Sequence, residues 1–142
     1  MVLSAFGTLL KIGDGNGGSE TFATIFEVLD IDGPSMSLDT IDATSHSSSG
    51  AWGEIVPSFL RPGEVTFSVN YHPTNATHNA STGLLRDFKN RTKRNFQIVF
   101  PDGFSTTWQF AAYVTNASPA MPVADKLTQD FTLAITGQPT LV

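Results

Sequence analysis

Apolar and polar residues alternate along most of the chain with a period of two, which is the pattern of β-strands that bury one face. In residues 64–71, for example, Val65, Phe67 and Val69 are separated by polar residues. The same alternation predicts strands at 8–12, 21–29, 35–44, 64–71, 95–100, 107–114 and 127–136. Consecutive strands of this kind favour a mainly β fold, an antiparallel β-sandwich or barrel whose second face stays polar.

Residues 79–92 break the alternation and predict one flanking α-helix. Leu84, Leu85 and Phe88 follow helical spacing, and basic residues come after them, where cations suit the carboxyl end of a helix dipole. N-cap oxygens are available on Thr77, Asn79 and Ser81. We expect the three apolar residues to cover an open end of the barrel.

Residues 45–62 follow neither period and predict a long loop, which is unusual in a compact β-domain and is often functional. The loop carries more large apolar side chains than a solvated loop exposes. It should therefore bury against its own sheet or against another subunit, and the second interpretation is favoured. The candidate inter-subunit residues are Ser45, His46, Trp52, Ile55, Val56, Phe59 and Leu60.

The composition indicates one domain that folds without disulfides. The chain has 142 residues and no cysteine. Only 15% of its residues are charged, against about 25% in typical domains, and 17 threonines and 13 serines supply the polar surface instead. No apolar run reaches the length of a membrane helix, and this composition excludes a coiled coil, a disordered tail and a disulfide scaffold.

The net charge of −5 is unevenly distributed. Eight acids and no base lie between Lys11 and Arg61: Asp14, Glu20, Glu27, Asp30, Asp32, Asp39, Asp42 and Glu54. Five bases and one acid, Asp87, lie in the basic cluster, whose cations are Arg86, Lys89, Arg91, Lys93 and Arg94. This asymmetry indicates either a relationship with nucleic acid or charge-complementary self-association. The sequence pI of about 4.9 favours the second for the basic cluster.

No motif predicts catalysis, a cofactor or a metal site. Residues 13–18 match G-x-G-x-x-G, but a strand-like segment follows where a dinucleotide site needs a helix, and the same residues lack the ligands of a calcium loop. The histidines His46, His72 and His78 lack metal-ligand spacing, and no nucleophile motif supports a Ser-His-Asp triad. We therefore expect no enzyme activity, no cofactor and no bound metal.

Three stretches taken in order show a family resemblance: 27–46, which contains Gly33-Pro34; 58–67, which contains Pro62-Gly63; and 110–137. Phe100-Pro101-Asp102-Gly103 fits the same pattern. Together they resemble the tail tube proteins (major tail proteins) of long flexible-tailed, lambda-like bacteriophages, over residues 22–137. The chain ends just after the last predicted strand, so we expect a single domain, 1–142, with an N-terminal arm at 1–18 and no extra C-terminal domain.

The resemblance implies a structural subunit of the virion tail that is made in the bacterial host cytoplasm. Such proteins form hexameric rings, which stack around a tape-measure protein into a hollow conduit for genome delivery. The loop at 45–62 and the arm at 2–18 are expected to contact neighbouring subunits or rings. The acids Glu20, Glu27, Asp30, Asp32, Asp39, Asp42 and Glu54 are candidates for an acidic lumen or an interface. The implied partners are further copies, the tape measure, tail terminator and baseplate proteins, and passing double-stranded DNA that is not specifically bound; no membrane is involved.

Two alternatives stay open at this point. A β-sandwich binding module could stack a carbohydrate or another cell-surface ligand on Trp52, Trp108, Tyr71 and Tyr113. That platform does not exist if Trp108 lies on the inner side of the strands. The second alternative is the tube of a contractile injection apparatus, which shares the fold.

Overall fold

The computed structural model describes residues 2–16 and 18–142, and within them it is mainly antiparallel β-structure with one short α-helix. Strands make up 48% of the chain and helix 7%, so the predicted fold class is confirmed. The helix α1 spans Leu84–Asn90. The strands are β1 (Leu9–Gly13), β2 (Phe22–Thr24), β3 (Val28–Asp32), β4 (Ser37–Asp42), β5 (Ile55–Arg61), β6 (Glu64–Asn70), β7 (Arg94–Val99), β8 (Thr107–Ala120) and β9 (Thr128–Leu141).

Seven strands form one sheet in the order β2-β1-β7-β8-β9-β6-β3, and β4 and β5 form a separate hairpin. The two edge strands of the large sheet, β2 and β3, are consecutive in the chain and are joined by residues 25–27. Because an extended residue spans at most about 3.6 Å, the ends of the two edges lie within about 14 Å of each other. The sheet therefore curls until its edges come close, but it does not close into a barrel.

The alternating apolar residues point inward and form one core. Phe67 lies 5.4 Å from Phe131 and Phe96 lies 5.9 Å from Phe110, measured between ring centroids. The buried apolar residues are Leu10, Ile25, Val65, Phe67, Val69, Leu84, Phe96, Ile98, Phe110, Ala112, Val114, Phe131, Leu133 and Ile135. The strand alternation thus identified the covered face of the sheet.

The predicted strand at 21–29 differs in detail from the structure. Residues 21–29 form two strands instead of one, because the chain turns at Ile25 and Glu27 to pass from one sheet edge to the other. Ile25 is buried in that turn, and Glu27 adopts a left-handed conformation with φ 50°. A strand pattern in the sequence does not reveal such a turn when the turn residue is itself apolar.

The helix is shorter than the predicted range of 79–92. The Asn79 side chain accepts hydrogen bonds from the backbone N–H groups of Thr82 (2.7 Å) and Gly83 (3.1 Å), which holds this segment in turns. The helix begins only after Gly83, and it ends where Arg91 becomes left-handed with φ 56°. Leu84 is fully buried, but Phe88 is 40% exposed, so the expectation that Phe88 covers the core is wrong.

The predicted loop at 45–62 is only partly a loop. Ser49–Ala51 forms a 3-10 turn, and the second half is β5, which pairs with β4 in antiparallel register. Leu38 lies opposite Leu60, and Ile41 opposite Val56. The period of two is obscured because β5 has apolar residues on both faces.

Candidate assembly surfaces

Two glycines hold the base of the β4–β5 hairpin close to the sheet. Gly33 has φ 111° and Gly63 has φ 78°, conformations that other residues adopt only with strain. A Cβ on Gly63 would lie 2.0 Å from the backbone oxygen of Ser35. The Ser35 N–H donates to the Glu64 carbonyl (3.2 Å), so the chain entering the hairpin is bonded to the chain leaving it. The two glycines come from separate stretches of the sequence and lie together at the base of the hairpin, which we call the hinge.

The hairpin exposes apolar side chains on both of its faces. Its strands contact mainly each other. The exposed fractions of Phe59 and Leu60, which point to opposite faces of β5, are 72% and 78%. The other exposed apolar residues of the hairpin are Leu38, Ile41, Trp52, Ile55 and Val56. In the described chain the less favoured of the two alternatives, burial of this segment against its own sheet, does not occur.

The tip of the hairpin carries two acids. Thr44 bridges the strand ends: its hydroxyl accepts a bond from the Glu54 N–H (2.7 Å), and its own N–H donates to Asp42 Oδ1 (2.9 Å). Hydrogen bonds from Thr44 lower the pKa of Asp42, so that this carboxylate stays charged. Ser45 and His46 are exposed in the turn that follows.

The five cations of the basic cluster divide into two groups. Asp87 is 1% exposed, and its Oδ1 accepts hydrogen bonds from Arg94 Nε (3.1 Å) and Arg86 Nη2 (3.3 Å). Arg94 Nη1 also donates to the Asp14 carbonyl (2.9 Å), which ties the start of β7 to the turn after β1. The side chains of these two arginines therefore make their contacts within the domain.

The remaining three cations form a surface patch. Lys89, Arg91 and Lys93 are exposed at the end of α1, beside the half-exposed ring of Phe88. The described residues contain four ion pairs, and none of them involves these three side chains. We call Phe88, Lys89, Arg91 and Lys93 the helix patch. Asp87, which decides how the cluster divides, was not singled out from the sequence, because its burial depends on a strand later in the chain.

Three of the seven predicted lumen acids make side-chain contacts with other parts of the chain. Glu20 accepts hydrogen bonds from the Gly15 N–H (2.9 Å) and from Asn95 Nδ2 (2.7 Å). Asp39 pairs with Arg61 (2.8 Å), and Glu27 lies 2.6 Å from His72 Nε2. The structure therefore does not gather the seven acids on one surface.

Asp30 and Asp32, by contrast, line an open groove of about 370 Å³ on the outward face of β3, β6 and β9. The strand register adds Asp130, which lies opposite Ser68 of β6 and Ser118 of β8. The other groove residues are uncharged: Thr66, Phe67, Ser68, Asn116, Phe131 and Thr132. Asp130 was missed because it lies far from the acidic half in sequence and joins it only through strand pairing.

The two histidines His72 and His78 lie at the turn that joins the sheet edges. His78 is fully buried; its Nδ1 accepts a hydrogen bond from the His72 N–H (3.1 Å), and its Nε2 lies 2.7 Å from the Phe26 carbonyl. These partners require the neutral imidazole with its proton on Nε2. Burial lowers the pKa of His78, with a further contribution from His72, while the bond to Phe26 and the charge of Glu27 oppose the shift.

No chemical site emerges in the part of the chain that the structure describes. It holds no cluster of three or more metal-ligating side chains. The G-x-G-x-x-G segment connects β1 to the strand β2, without the helix that a dinucleotide site requires. None of the described helices is long and apolar enough to span a bilayer.

The aromatic residues proposed for ligand stacking are dispersed. Trp108 lies opposite Ile98 on the inward side of β8 and packs against the core. Tyr71 is half-buried 6.1 Å from His78, while Trp52 lies at the hairpin tip. Because Trp108 is on the inner side, the binding platform of the alternative hypothesis is absent from the described chain.

The predicted arm at 1–18 is in part a sheet strand, since β1 pairs with β7 and β2. The residues before it are exposed, including Val2 (95%) and Phe6 (93%). Met1 and Gly17 of the predicted arm lie outside the described residues. The exposed residues of the arm therefore lie on both sides of β1, at 2–7 and, among the described residues, at 14–16 and 18.

Comparison with known proteins places this fold among tube-forming assemblies. A protein in the tail of an empty gene transfer agent particle, refined with C6 symmetry, has a TM-score of 0.77 and 19% identity, with 99% of both chains covered. A protein of the sheath-tube complex of an extracellular contractile injection system has a TM-score of 0.70 and 16% identity, covering 99% of this chain and 91% of that chain. The SPP1 tail tube has a TM-score of 0.70 and 9% identity, covering 94% and 75%. These likenesses show the fold.

A search of curated protein sequences found no match. The family model described as "Lambda phage tail tube protein, TTP" matches residues 13–142, which is nearly the whole chain. The chain therefore belongs to the lambda phage tail tube protein family and is a structural subunit of a virion tail tube.

Proposed function

We propose that copies of this chain assemble into six-membered rings that stack into a hollow tube, and that the β4–β5 hairpin is the arm that joins neighbouring copies. The observation that carries the proposal is the exposure of apolar side chains on both faces of this hairpin. A two-stranded hairpin is marginally stable in water on its own. A neighbouring subunit supplies the covering surface that its own sheet does not.

The magnitude of apolar burial supports this role. Covering one large apolar side chain contributes about 1.5–3 kcal/mol. Association costs about 4–15 kcal/mol in lost translational and rotational freedom. Several hairpin residues must therefore be covered together, and the described hairpin offers seven of them, namely Leu38, Ile41, Trp52, Ile55, Val56, Phe59 and Leu60.

We assign the channel wall to the outward face of the large sheet, around the groove of Asp30, Asp32 and Asp130. The groove carries three acids and no base, which suits a conduit for DNA, because adhesion to DNA depends on phosphate neutralisation by cations. At physiological salt the repulsion acts over about 8 Å, so it operates near the wall. The remaining predicted lumen acids make contacts within the chain or lie at the hairpin tip.

The other partners follow from the same assembly. A tape-measure protein and passing double-stranded DNA would occupy the channel, and terminator and baseplate proteins would meet the two ends. The role is mechanical, and no enzyme activity is part of it. Similar structures come from a tube terminator and a tube-terminating cap of contractile systems, which supports such end contacts.

The tube of a contractile apparatus is the second candidate, favoured by the structural likeness to contractile injection systems. It differs in having a sheath around the tube. Assembled tubes mixed with a purified sheath protein of the same genome would separate the two, because a flexible tail tube binds no sheath.

Electron microscopy of the purified chain at high concentration tests the proposal. We expect sixfold rings and hollow tubes from the natural sequence. Val56→Asp combined with Leu60→Asp places one charge on each apolar face of the hairpin and should abolish assembly while the domain still melts cooperatively. The matched control, Val56→Ile with Leu60→Met, keeps both faces apolar and should still assemble. Tubes from the aspartate variant would exclude the hairpin as the arm, and a natural sequence that stays monomeric would overturn the assembly itself.

A further inference from the structure

Two surfaces of opposite charge are left without partners inside the domain. The first is the helix patch, which carries three exposed cations beside the ring of Phe88. The neighbouring Arg86 and Arg94 already neutralise the buried Asp87. The helix patch therefore keeps a charge of +3 that no carboxylate of the described chain compensates.

The second surface is the hairpin tip, which we define as Asp42, Trp52, Glu54 and Ile55. The bonds of Thr44 to both strand ends hold the two acids at the same end of the hairpin. Among the described residues the Glu54 side chain has no ion pair, and the sequence has no lysine or arginine between residues 12 and 60. The hairpin tip thus combines a charge of −2 with exposed apolar groups, as the helix patch combines +3 with Phe88.

The topology keeps these two surfaces apart within one copy. The hairpin leaves the domain between β3 and β6 at one side of the sheet, whereas α1 packs against β8. The six residues of β4 carry the tip about 17 Å from its base. A contact between tip and patch in different copies joins two different surfaces, and such a heterologous contact leaves a free tip and a free patch for the next copy.

We propose that the hairpin tip of one copy docks on the helix patch of the neighbouring copy, with Glu54 and Asp42 facing Lys89 and Lys93 and with Trp52 covering Phe88. The inference rests on the proposed function, since it names the surface that receives the arm. Charge complementarity selects a second copy as the occupant. It fixes the register and speeds the encounter of the two surfaces, while the apolar groups hold them together.

Charge reversal tests the pairing. Glu54→Lys and, separately, Lys89→Glu with Lys93→Glu should each raise the concentration at half-assembly by about tenfold, the change that 1.4 kcal/mol produces. Glu54→Lys combined with Lys89→Glu should recover most of the loss of the Glu54→Lys variant, because residues 54 and 89 then attract each other again with exchanged charges while Asp42 still faces Lys93. Lys126→Glu, which reverses an exposed cation outside the helix patch, is the matched control and should assemble like the natural sequence.

Cross-linking gives a second readout that does not depend on the strength of assembly. The chain has no cysteine, so a variant with Glu54→Cys and Lys89→Cys carries the only two thiols. A short bis-maleimide added to assembled protein should produce a ladder beyond the dimer on a denaturing gel. Each single-cysteine variant should stay largely monomeric, since its thiols meet no partner thiol.

The outcomes separate the two proposals. Absence of tubes from the natural sequence would overturn the proposed function. Tubes that persist with reversed charges, or that give no ladder, would overturn the docking alone and leave the tube intact. If Lys89→Glu with Lys93→Glu leaves the tubes unchanged but lowers their retention of duplex DNA, the helix patch contacts nucleic acid and the docking is wrong.

Discussion

The large sheet and the β4–β5 hairpin are both antiparallel and rich in apolar residues, yet only the sheet covers its own apolar face. Phe131 of β9 is 1% exposed, whereas Phe59 of β5 is 72% exposed. The sheet curls because residues 25–27 join its two edge strands, so its inward residues meet one another. In the hairpin, β4 and β5 pair only with each other, so there are no further strands that could curl over its apolar residues. The sheet therefore covers its apolar face within one copy, whereas the hairpin leaves its apolar residues exposed, as the proposed contact with a neighbouring copy requires.

The largest expected effect comes from the same substitution made in both regions. Phe131→Ala should lower the free energy of unfolding by about 3–5 kcal/mol, because it opens a cavity in the core. Phe59→Ala should change it by less than about 0.5 kcal/mol, since an exposed side chain loses little packing. Urea denaturation of unassembled protein measures both.

The amount of assembled tubes should show the opposite order, with the larger loss in Phe59→Ala. At a concentration where both variants are folded, Phe59→Ala should form fewer tubes than Phe131→Ala. Equal losses of unfolding free energy in the two variants would show that the hairpin is packed within the monomer, and the contrast between the two regions would be lost.

A smaller effect is expected at the hinge that joins the two regions. Gly63→Ala places a Cβ against the Ser35 carbonyl and forces alanine to φ 78°, so it should cost about 1–3 kcal/mol. Hydrogen exchange should accelerate for the amides of Ser35 and Glu64 while those of β8 and β9 stay protected. Gly18→Ala is the matched control, because nothing lies within 4 Å of its added Cβ and its φ is not in the left-handed region. Unchanged exchange at the hinge would show that the hairpin base has room to adjust.

The smallest effect is a pH dependence that arises from His78, beside the turn that joins the two sheet edges. The pKa of His78 is lowered in the folded chain, so the unfolded chain takes up a proton first as the pH falls. Stability should be constant above the unfolded pKa of about 6.5 and should decline as the pH drops below it. Urea midpoints at pH 7.5, 6.5 and 5.5 measure this decline.

His78→Gln provides the control for that decline. The variant should be less stable at pH 7.5, because it loses packing, but its midpoint should be flatter between pH 6.5 and 5.5. Thr44 bonds lower the pKa of Asp42, and Thr106 bonds lower that of Asp102, but these acids act below their ordinary pKa of 3.8 and outside this window. A decline of the same size in the glutamine variant would assign the pH dependence to other groups.

The sequence predicted β6 and β7 to within a residue because their alternation is one-sided and each is buried on one face. It failed for β5, where Ile55, Phe59 and Leu60 place apolar groups on both faces and so hide the period of two. The start of α1 was missed because the Asn79 side chain bonds to the backbone and competes with helix formation. Family membership could be predicted from ordered motifs, whereas pairing across distant strands could not.

The candidate surfaces show the same limit. The hairpin residues were selected as candidates from their apolar content, although the second half of the predicted loop is the strand β5. The division of the basic cluster depends on Asp87, which is buried and bonded to Arg94 on β7. The acidic groove gains Asp130 only through the register of β6 and β9. Each of these features combines residues that no local spacing relates.

The two sheet edges have a consequence for how such a protein stays usable before it assembles. An unpaired strand edge invites uncontrolled addition of further strands, which leads to aggregates. Here β2 has three residues, and β3 has five, with a register shift between Val28 and Ile31 and two acids, Asp30 and Asp32. Short, irregular and charged edges are poor templates for further strands. This protein therefore has sheet edges that resist aggregation through strand addition. Ordered assembly then depends on the surfaces that build a tube.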